Sequence, residues 1–354
     1  MSVKKASAVG IRWAVELADG VQDLAWSPDG RWLAAAAVSG PISLIASATG
    51  AIGREWPGHA GGTLKLAWSR DNRWLASGGQ DGCARLWSPD SDEERSRLAA
   101  GSDWVGGVSF SPYADLLITA AGKELRAWNL DGQLLRATQP HTSTITDLAW
   151  HPHQSLLAST AYGQAHVWDW RAPDAPAERV LPHSSPLLNA RWSPNGRYLA
   201  CGCQDNSLRC WTWPEAGDFQ MSGYASKVRA LAWDRASRWL ATADREIVTL
   251  WDFEHGPPTG SHPAEHRGSV RYRPRTGFSS GGASAGGGRP GRASSRLGFG
   301  RARLSVAVAG RAARRIPTAG LASPANGCWR WAARTARSRR SSSPDEAAIT
   351  HAFF

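Results

Sequence analysis

Short runs of alternating apolar and polar residues recur along the first three quarters of the chain. One of them, Leu24-Ala25-Trp26, ends in an aromatic and is followed by Ser27-Pro28-Asp29-Gly30. Alternation at period two predicts a half-buried strand. Ser-Pro-Asp-Gly predicts a tight turn, in which Pro presets φ and Asp and Gly supply the turn geometry. The same features return at Trp68, Phe110, Trp150, Trp192 and Trp233, at intervals of 42, 42, 40, 42 and 41 residues. A second strand follows each turn, as in Arg31-Trp32-Leu33-Ala34, Arg73-Trp74-Leu75-Ala76, Arg197-Tyr198-Leu199-Ala200 and Arg238-Trp239-Leu240-Ala241. After a polar turn such as Gln80-Asp81-Gly82 or Gln204-Asp205-Asn206, a third strand ends in Trp87, Trp128, Trp168, Trp211 or Trp251, with Ile45 in that place in the first unit. A weaker fourth strand leads to the next unit. Four short strands in about 40 residues match one blade of a β-propeller.

A single four-stranded blade has two apolar faces and can bury neither alone. Stacking blades around an axis buries both, and closing the ring removes most exposed sheet edges. The chain has 20 Trp against 2 Met, and 18 of those Trp fall in residues 1–266, so one residue type repeatedly fills one kind of slot. Each buried aromatic removes roughly 150–250 Å² from water, which gives a Gly-rich β-protein its core. With its Trp-Asp strand ends, Asp-Gly turns and period, the stretch 10–266 resembles the WD-repeat (β-transducin-like) family. The fold expected is all-β: six recognisable WD repeats forming four-stranded antiparallel blades, incomplete relative to a seven- or eight-bladed parent. Three regions are expected, an N-terminal extension (1–9), the propeller (10–266) and a low-complexity tail (267–354).

Ten His invite a catalytic or metal reading, and the repeat absorbs most of them. His59, His141 and His183 each lie nine residues before a first-strand Trp, and Tyr224 holds that place ahead of Trp233. The resemblance implies that such a His opens a buried hydrogen-bonded set with a hydroxyl, an Asp and a Trp. The second unit matches fully as His59, Ser77, Asp81 and Trp87. In the fifth, His183, Asp205 and Trp211 are present, but Cys201 replaces the hydroxyl. In the fourth, Tyr162 and Ala158 are expected to replace the Asp and the Ser. A Ser/His/Asp set suggests a hydrolase, but triads are recognised by geometry, and here the set recurs on a structural period. A polar clamp that satisfies buried groups is the preferred reading. Cys201, Cys203 and Cys210 with His183 fit no standard zinc module, and Cys is a common buried residue. No phosphate loop, Gly-x-Ser-x-Gly elbow or His-Glu-x-x-His motif is present. No catalytic residue, cofactor or metal is expected.

The resemblance places partner contacts on the rim where strand-joining loops meet. The side chains six before the first-strand aromatic are Gly20, Gly62, Trp104, Thr144, Pro186 and Lys227, and those four before include Gln22 and Arg229. The residues before the turn Asp include Gln80 and Gln204. Trp104 is the expected anchor, since Trp and Arg dominate interface hot spots. The function expected is a non-catalytic protein-interaction scaffold with protein partners.

Charge changes the picture only at the end of the chain. The formal net charge is +11, but residues 267–354 hold 17 Arg, no Lys and only Asp345 and Glu346 as acids, leaving residues 1–266 slightly acidic. A nucleic-acid role therefore attaches to the tail alone. As a natural segment, the tail reads as a disordered arm without strand periodicity that could contact RNA or anionic surfaces. As a frameshift product, it carries no selected function. His266 is in phase for a seventh unit, yet Arg275 stands where its Trp belongs, and composition jumps to Arg, Gly, Ala and Ser. Read one base earlier with GC-rich third bases, Gly327–Arg337 can become Arg-Leu-Leu-Ala-Val-Gly-Gly-Glu-Asp-Gly-Thr, the second strand and Asp-Gly turn of another unit. The frameshift reading is preferred, and it leaves the N-terminal strand Ile11–Leu17 without its proper partner. No apolar run approaches the roughly 18 residues of a membrane helix, and no apolar stretch follows the basic start. Five Cys without disulfide-like spacing suit a reducing compartment, so a cytoplasmic protein is expected.

Overall fold

A computed structural model describes residues 9–17, 19–138, 140–171, 177–243, 247–258, 264–266 and 302–309. Every regular element among them is a strand. After β1 (Val9–Leu17), the chain builds six antiparallel sheets in sequence order. The first holds β2 (Val21–Trp26), β3 (Trp32–Ala37), β4 (Ile42–Ala46) and β5 (Ile52–Trp56). The second holds β6 (Thr63–Trp68), β7 (Leu75–Gly79), β8 (Cys83–Trp87) and β9 (Glu94–Ala99). The third holds β10 (Val105–Phe110), β11 (Leu116–Ala121), β12 (Glu124–Asn129) and β13 (Leu134–Ala137). The fifth holds β17 (Arg191–Trp192), β18 (Tyr198–Gly202), β19 (Leu208–Thr212) and β20 (Asp218–Met221). The sixth holds β21 (Ala230–Trp233), β22 (Trp239–Ala243), β23 (Val248–Asp252) and β24 (Ala264–His266). The fourth is built from β14 (Asp147–Trp150), β15 (Leu156–Asp169) and β16 (Ala177–Pro186). Its second and third strands run as one extended segment. Leu157–Thr160 pairs with β14, and Gln164–Trp168 pairs with β16.

The outer turns explain the repeated Ser-Pro-Asp-Gly. Ser27 Oγ donates to Asp29 Oδ1 (2.6 Å) and accepts from the Trp32 N–H (2.9 Å), while Asp29 Oδ1 also accepts from the Arg31 N–H (3.0 Å). Ser69 and Asp71, and then Ser193 and Asn195, repeat the arrangement. The residue after the acid or amide turns left-handed, with φ near 71° at Gly30, 65° at Asn72 and 73° at Gly196. Gly and Asn are the residues that tolerate that region.

Consecutive sheets pack face to face. Ala34, Leu44 and Trp56 of the first meet Leu66, Leu75 and Trp87 of the second. Comparable buried clusters join the second to the third, the third to the fourth, the fourth to the fifth and the fifth to the sixth. Trp56 and Trp87 stack with centroids 5.5 Å apart. Some first-strand Trp residues also tie neighbouring blades. Trp68 Nε1–H donates to Ala25 O (3.0 Å) and Trp192 Nε1–H to Ala149 O (3.1 Å), one unit back in each case. The Leu66 N–H reaches Asp23 Oδ2 of the preceding blade (2.8 Å). At Trp68 and Trp192 the indole thus packs its apolar face and still satisfies its one donor, whereas Trp150 Nε1 has no partner among the described residues.

The two ends of the array differ. β1 lies against the first blade, where Trp13 and Leu17 pack with Leu33, Ala35 and Ile45. Trp13 Nε1–H donates to Ser47 O (2.8 Å). On the sixth blade a small cluster of Ala241 and Leu250, with Trp239 and Val248, stands apart from the interface with the fifth. The N-terminal strand, expected to lack its proper partner in a final blade, pairs outside the six blades, in a two-stranded sheet. β25 (Ala302–Ala309) pairs antiparallel with β1, from Val9 opposite Ala309 to Leu17 opposite Ala302. The expectation of a tail without strands fails at the same place. Leu304, Val306 and Val308 alternate with smaller or polar residues, the period that specifies a strand. The rest of the tail, with its expected disorder, lies outside the described residues.

Candidate functional site

The second blade places its polar set on three successive elements. Ser77 lies within β7, Asp81 in the turn that follows and Trp87 at the end of β8, while His59 follows β5. Trp87 Nε1–H donates to Ser77 Oγ (2.8 Å), and Ser77 Oγ lies 2.7 Å from His59 Nε2. His59 Nδ1 lies 2.8 Å from Asp81 Oδ1, and Arg85 Nη2 donates to Asp81 Oδ2 (2.7 Å). Donor inventory assigns the protons. The indole can only donate, so the hydroxyl accepts from it and gives its own proton to Nε2, leaving the Nδ1–H for the carboxylate. Burial holds the His59 imidazole below its ordinary pKa, with Asp81 partly offsetting that. Burial alone raises the Asp81 carboxyl, but its contacts with His59 and Arg85 outweigh this and leave it lowered.

Ser, His and Asp are therefore in hydrogen-bond sequence, the order seen in a hydrolase. Access separates the two cases. Ser77 is fully buried, and its hydroxyl is committed to both Trp87 and His59. A Cβ at Gly79 would fall 2.2 Å from the His59 ring, so backbone closes over the imidazole. A nucleophile must be reachable by substrate. This arrangement braces a blade.

The other blades are graded versions of the same device. In the fourth, His141 Nε2 lies 2.8 Å from Ser159 Oγ, which accepts from Trp168 Nε1–H (2.8 Å). The hydroxyl is thus Ser159, which corrects the expected loss of Ser at Ala158. The spacing of 18 residues from His59 to Ser77 recurs from His141 to Ser159 and was the signal to follow. The Lys123 carbonyl faces His141 Nδ1 (3.1 Å) in place of an Asp, and burial pushes the pKa of His141 down to about 4. In the sixth, Tyr224 replaces the His. Its hydroxyl lies 2.8 Å from Thr242 Oγ1 and accepts from Trp251 Nε1–H (2.7 Å). In the third, only Trp128 Nε1–H to Thr119 Oγ1 (3.0 Å) remains. The first substitutes the apolar Leu17, Ala35 and Ile45 throughout. Each version satisfies its buried polar groups or omits them.

The fifth blade departs from that rule. Cys201 occupies the hydroxyl position, and His183 Nε2 is buried with no hydrogen-bond partner among the described residues. Asp205 accepts from Ser207 Oγ (2.6 Å) and makes no described bond to the imidazole. Trp211 stands edge-on to His183 with centroids 6.4 Å apart.

On the rim, Trp104 immediately precedes β10 and is 60% exposed. Gln204 and Arg229 are exposed, while Gln80 and Lys227 are half-buried. The rim position three residues after each clamp hydroxyl is held by Gln80, Tyr162 and Gln204, with Val38 in the same place on the first blade. Tyr162 is 57% exposed and Val38 40%. Val38 has no Asp after it to mark it, and Tyr162, expected in the Asp place of the fourth clamp, stands one position before that place, which Gly163 holds.

A family model described as "WD domain, G-beta repeat" matches residues 17–40, 50–88, 132–169 and 177–212. Curated relatives include the transcriptional corepressor LEUNIG_HOMOLOG of Arabidopsis thaliana, 26% identical over 172 residues, covering 47% of this chain and 22% of that protein. The B-type cell cycle switch protein ccs52B of Medicago truncatula is 32% identical over 141 residues, 38% of this chain and 29% of that protein. Human coronin-7 is 28% identical over 191 residues, 48% of this chain and 20% of that protein. The chain thus spans less than a third of the length of each of these three proteins.

Proposed function

We propose that this chain, which belongs to the WD-repeat family, works as a non-catalytic scaffold that captures protein partners on the rim carrying Trp104 and Tyr162. The carrying observation is the exposure of those two aromatics, at 60% and 57%, while every other indole among the described residues is buried wholly or in large part. Leaving that apolar area in water is unfavourable by roughly 25 cal/mol per Å², so a partner that covers it gains directly. Gln80, Gln204, Lys227 and Arg229 on the same rim supply a polar surround of the kind that encloses interface anchors. The four cysteines among the described residues are free thiols, which supports a reducing, cytoplasmic setting.

The test is a comparison of partner capture by the wild-type chain and by Trp104→Ala/Tyr162→Ala, with thermal unfolding as the check on folding. Loss of partners at unchanged melting temperature supports the reading, and full retention refutes it. A second reading, contact with nucleic acid, rests on the Arg-rich composition of residues 267–354 alone. Salt-sensitive RNA binding that vanishes on deleting those residues would establish it.

A further inference from the structure

The fifth blade brings together three groups that the clamp leaves unused. One nitrogen, one sulfur and one carboxylate oxygen, from His183, Cys203 and Asp205, lie within 4.8 Å of one another. Three elements hold them there. His183 sits on β16, the isolated bridge between Leu187 and Cys203 ties the end of β18 to the segment after β16, and Gln204 N–H donates to Pro186 O (2.9 Å). Asp205 is fixed by Ser207, which occupies Oδ1 and leaves Oδ2 available. A cavity of about 480 Å³, lined by Pro182, His183, Ser184, Asp205, Arg209 and Gln220, opens onto the cluster. Arg209, which lines the cavity, is paired with Asp218, so its charge is offset.

We propose that His183, Cys203 and Asp205 form a binding site for one divalent transition-metal ion of the zinc type. Imidazole, thiolate and carboxylate are the donor classes such ions take, and three protein ligands leave the fourth tetrahedral position open toward the cavity. Metal–ligand bonds of 2.0–2.3 Å require donors roughly 3.3–3.8 Å apart, so closure asks for side-chain shifts of about 1 Å. Binding releases the thiol proton. The site differs from a cluster of Cys201, Cys203 and Cys210. Cys210 packs in the interface with the sixth blade, and Cys201 and Cys203 both pack in that with the fourth, but only Cys203 has its sulfur within 4.8 Å of the His183 and Asp205 donors.

The probe is Co²⁺ added to the full-length chain, followed by absorption spectroscopy and then competition with Zn²⁺. The expected result is one Co²⁺ per chain, with a thiolate-to-cobalt charge-transfer band and tetrahedral d–d bands that Zn²⁺ abolishes. Cys83→Ser keeps the band, whereas Cys203→Ser and His183→Gln lose it. Asp205→Asn, a change at an exposed residue that preserves the bond from Ser207, weakens binding by about tenfold or more and serves if Cys203→Ser fails to fold. Absence of the band in wild type, its survival in Cys203→Ser, or unchanged affinity in Asp205→Asn overturns the proposal.

Discussion

At the scale of single residues, the six blades measure what a buried polar group requires. Ser77 serves two partners, so Ser77→Ala orphans both His59 Nε2 and Trp87 Nε1. Each orphan costs about 1–3 kcal/mol. Thr119→Ala orphans only Trp128 Nε1. Urea unfolding of the two variants is expected to show Ser77→Ala as the more destabilised by a factor of about two. Equal losses would mean that the His59 contact contributes nothing. The buried histidines also set a pH dependence. His59, His141, His151, His166 and His183 all have lowered pKa values, chiefly through burial. A depressed imidazole binds fewer protons folded than unfolded, so stability falls as pH drops below the unfolded value near 6.5. For His141 the fall continues to about 4, at a limiting slope of about 1.4 kcal/mol per pH unit. Asp23 acts in the opposite sense. Burial raises its carboxyl to about 6, so stability declines as pH rises from 3.8 toward that value. Midpoints of urea unfolding across pH 4–7 are expected to rise with pH, because the histidines outnumber Asp23. A flat profile would place the imidazoles in contact with solvent.

At the scale of elements, most of the strand pattern was legible in the sequence. Leu24–Trp26 alternates, Ser27–Gly30 turns, and the hydrogen bonds of Ser27 and Asp29 show why that tetrapeptide recurs. Two features escaped for physical reasons. Ser159 was misplaced because β15 has no turn Asp to mark the register, and Gly163 (φ 82°) bends the chain in place of a distinct loop. β25 was hidden in Arg- and Ala-rich surroundings, where eight alternating residues carry little weight without a repeat to align them. The β1 contact supplies a test of its own. Trp13→Ala removes the indole packed with Ile45 and its bond to Ser47 O. A loss of about 3–5 kcal/mol is expected for a buried Trp. Hydrogen exchange is expected to rise first in Ile42–Ala46 and in Val9–Leu17. Uniform exchange across all six blades would show that β1 does not brace the first.

At the scale of the whole molecule, blades and rim account for each other. Five inter-blade clusters hold six sheets in series, and the exposed Trp104 and Tyr162 lie outside them. The sixth blade carries a separate cluster of Ala241 and Leu250, and the first packs against β1. If residues beyond 266 derive from a shifted frame, restoring that frame upstream of Gly327 is expected to raise the melting temperature and reduce aggregation. No change in either would refute the frameshift reading. The scaffold role itself is most directly tested by photo-crosslinking in cells, with a photoreactive amino acid placed at position 104 or at position 113. Trp104 precedes β10 and Tyr113 follows it, so the two probes sit at opposite ends of one strand, both exposed. Discrete protein adducts from position 104 and few or none from position 113 are the result expected. Equal adducts from both positions, or adducts from position 113 alone, would contradict the account.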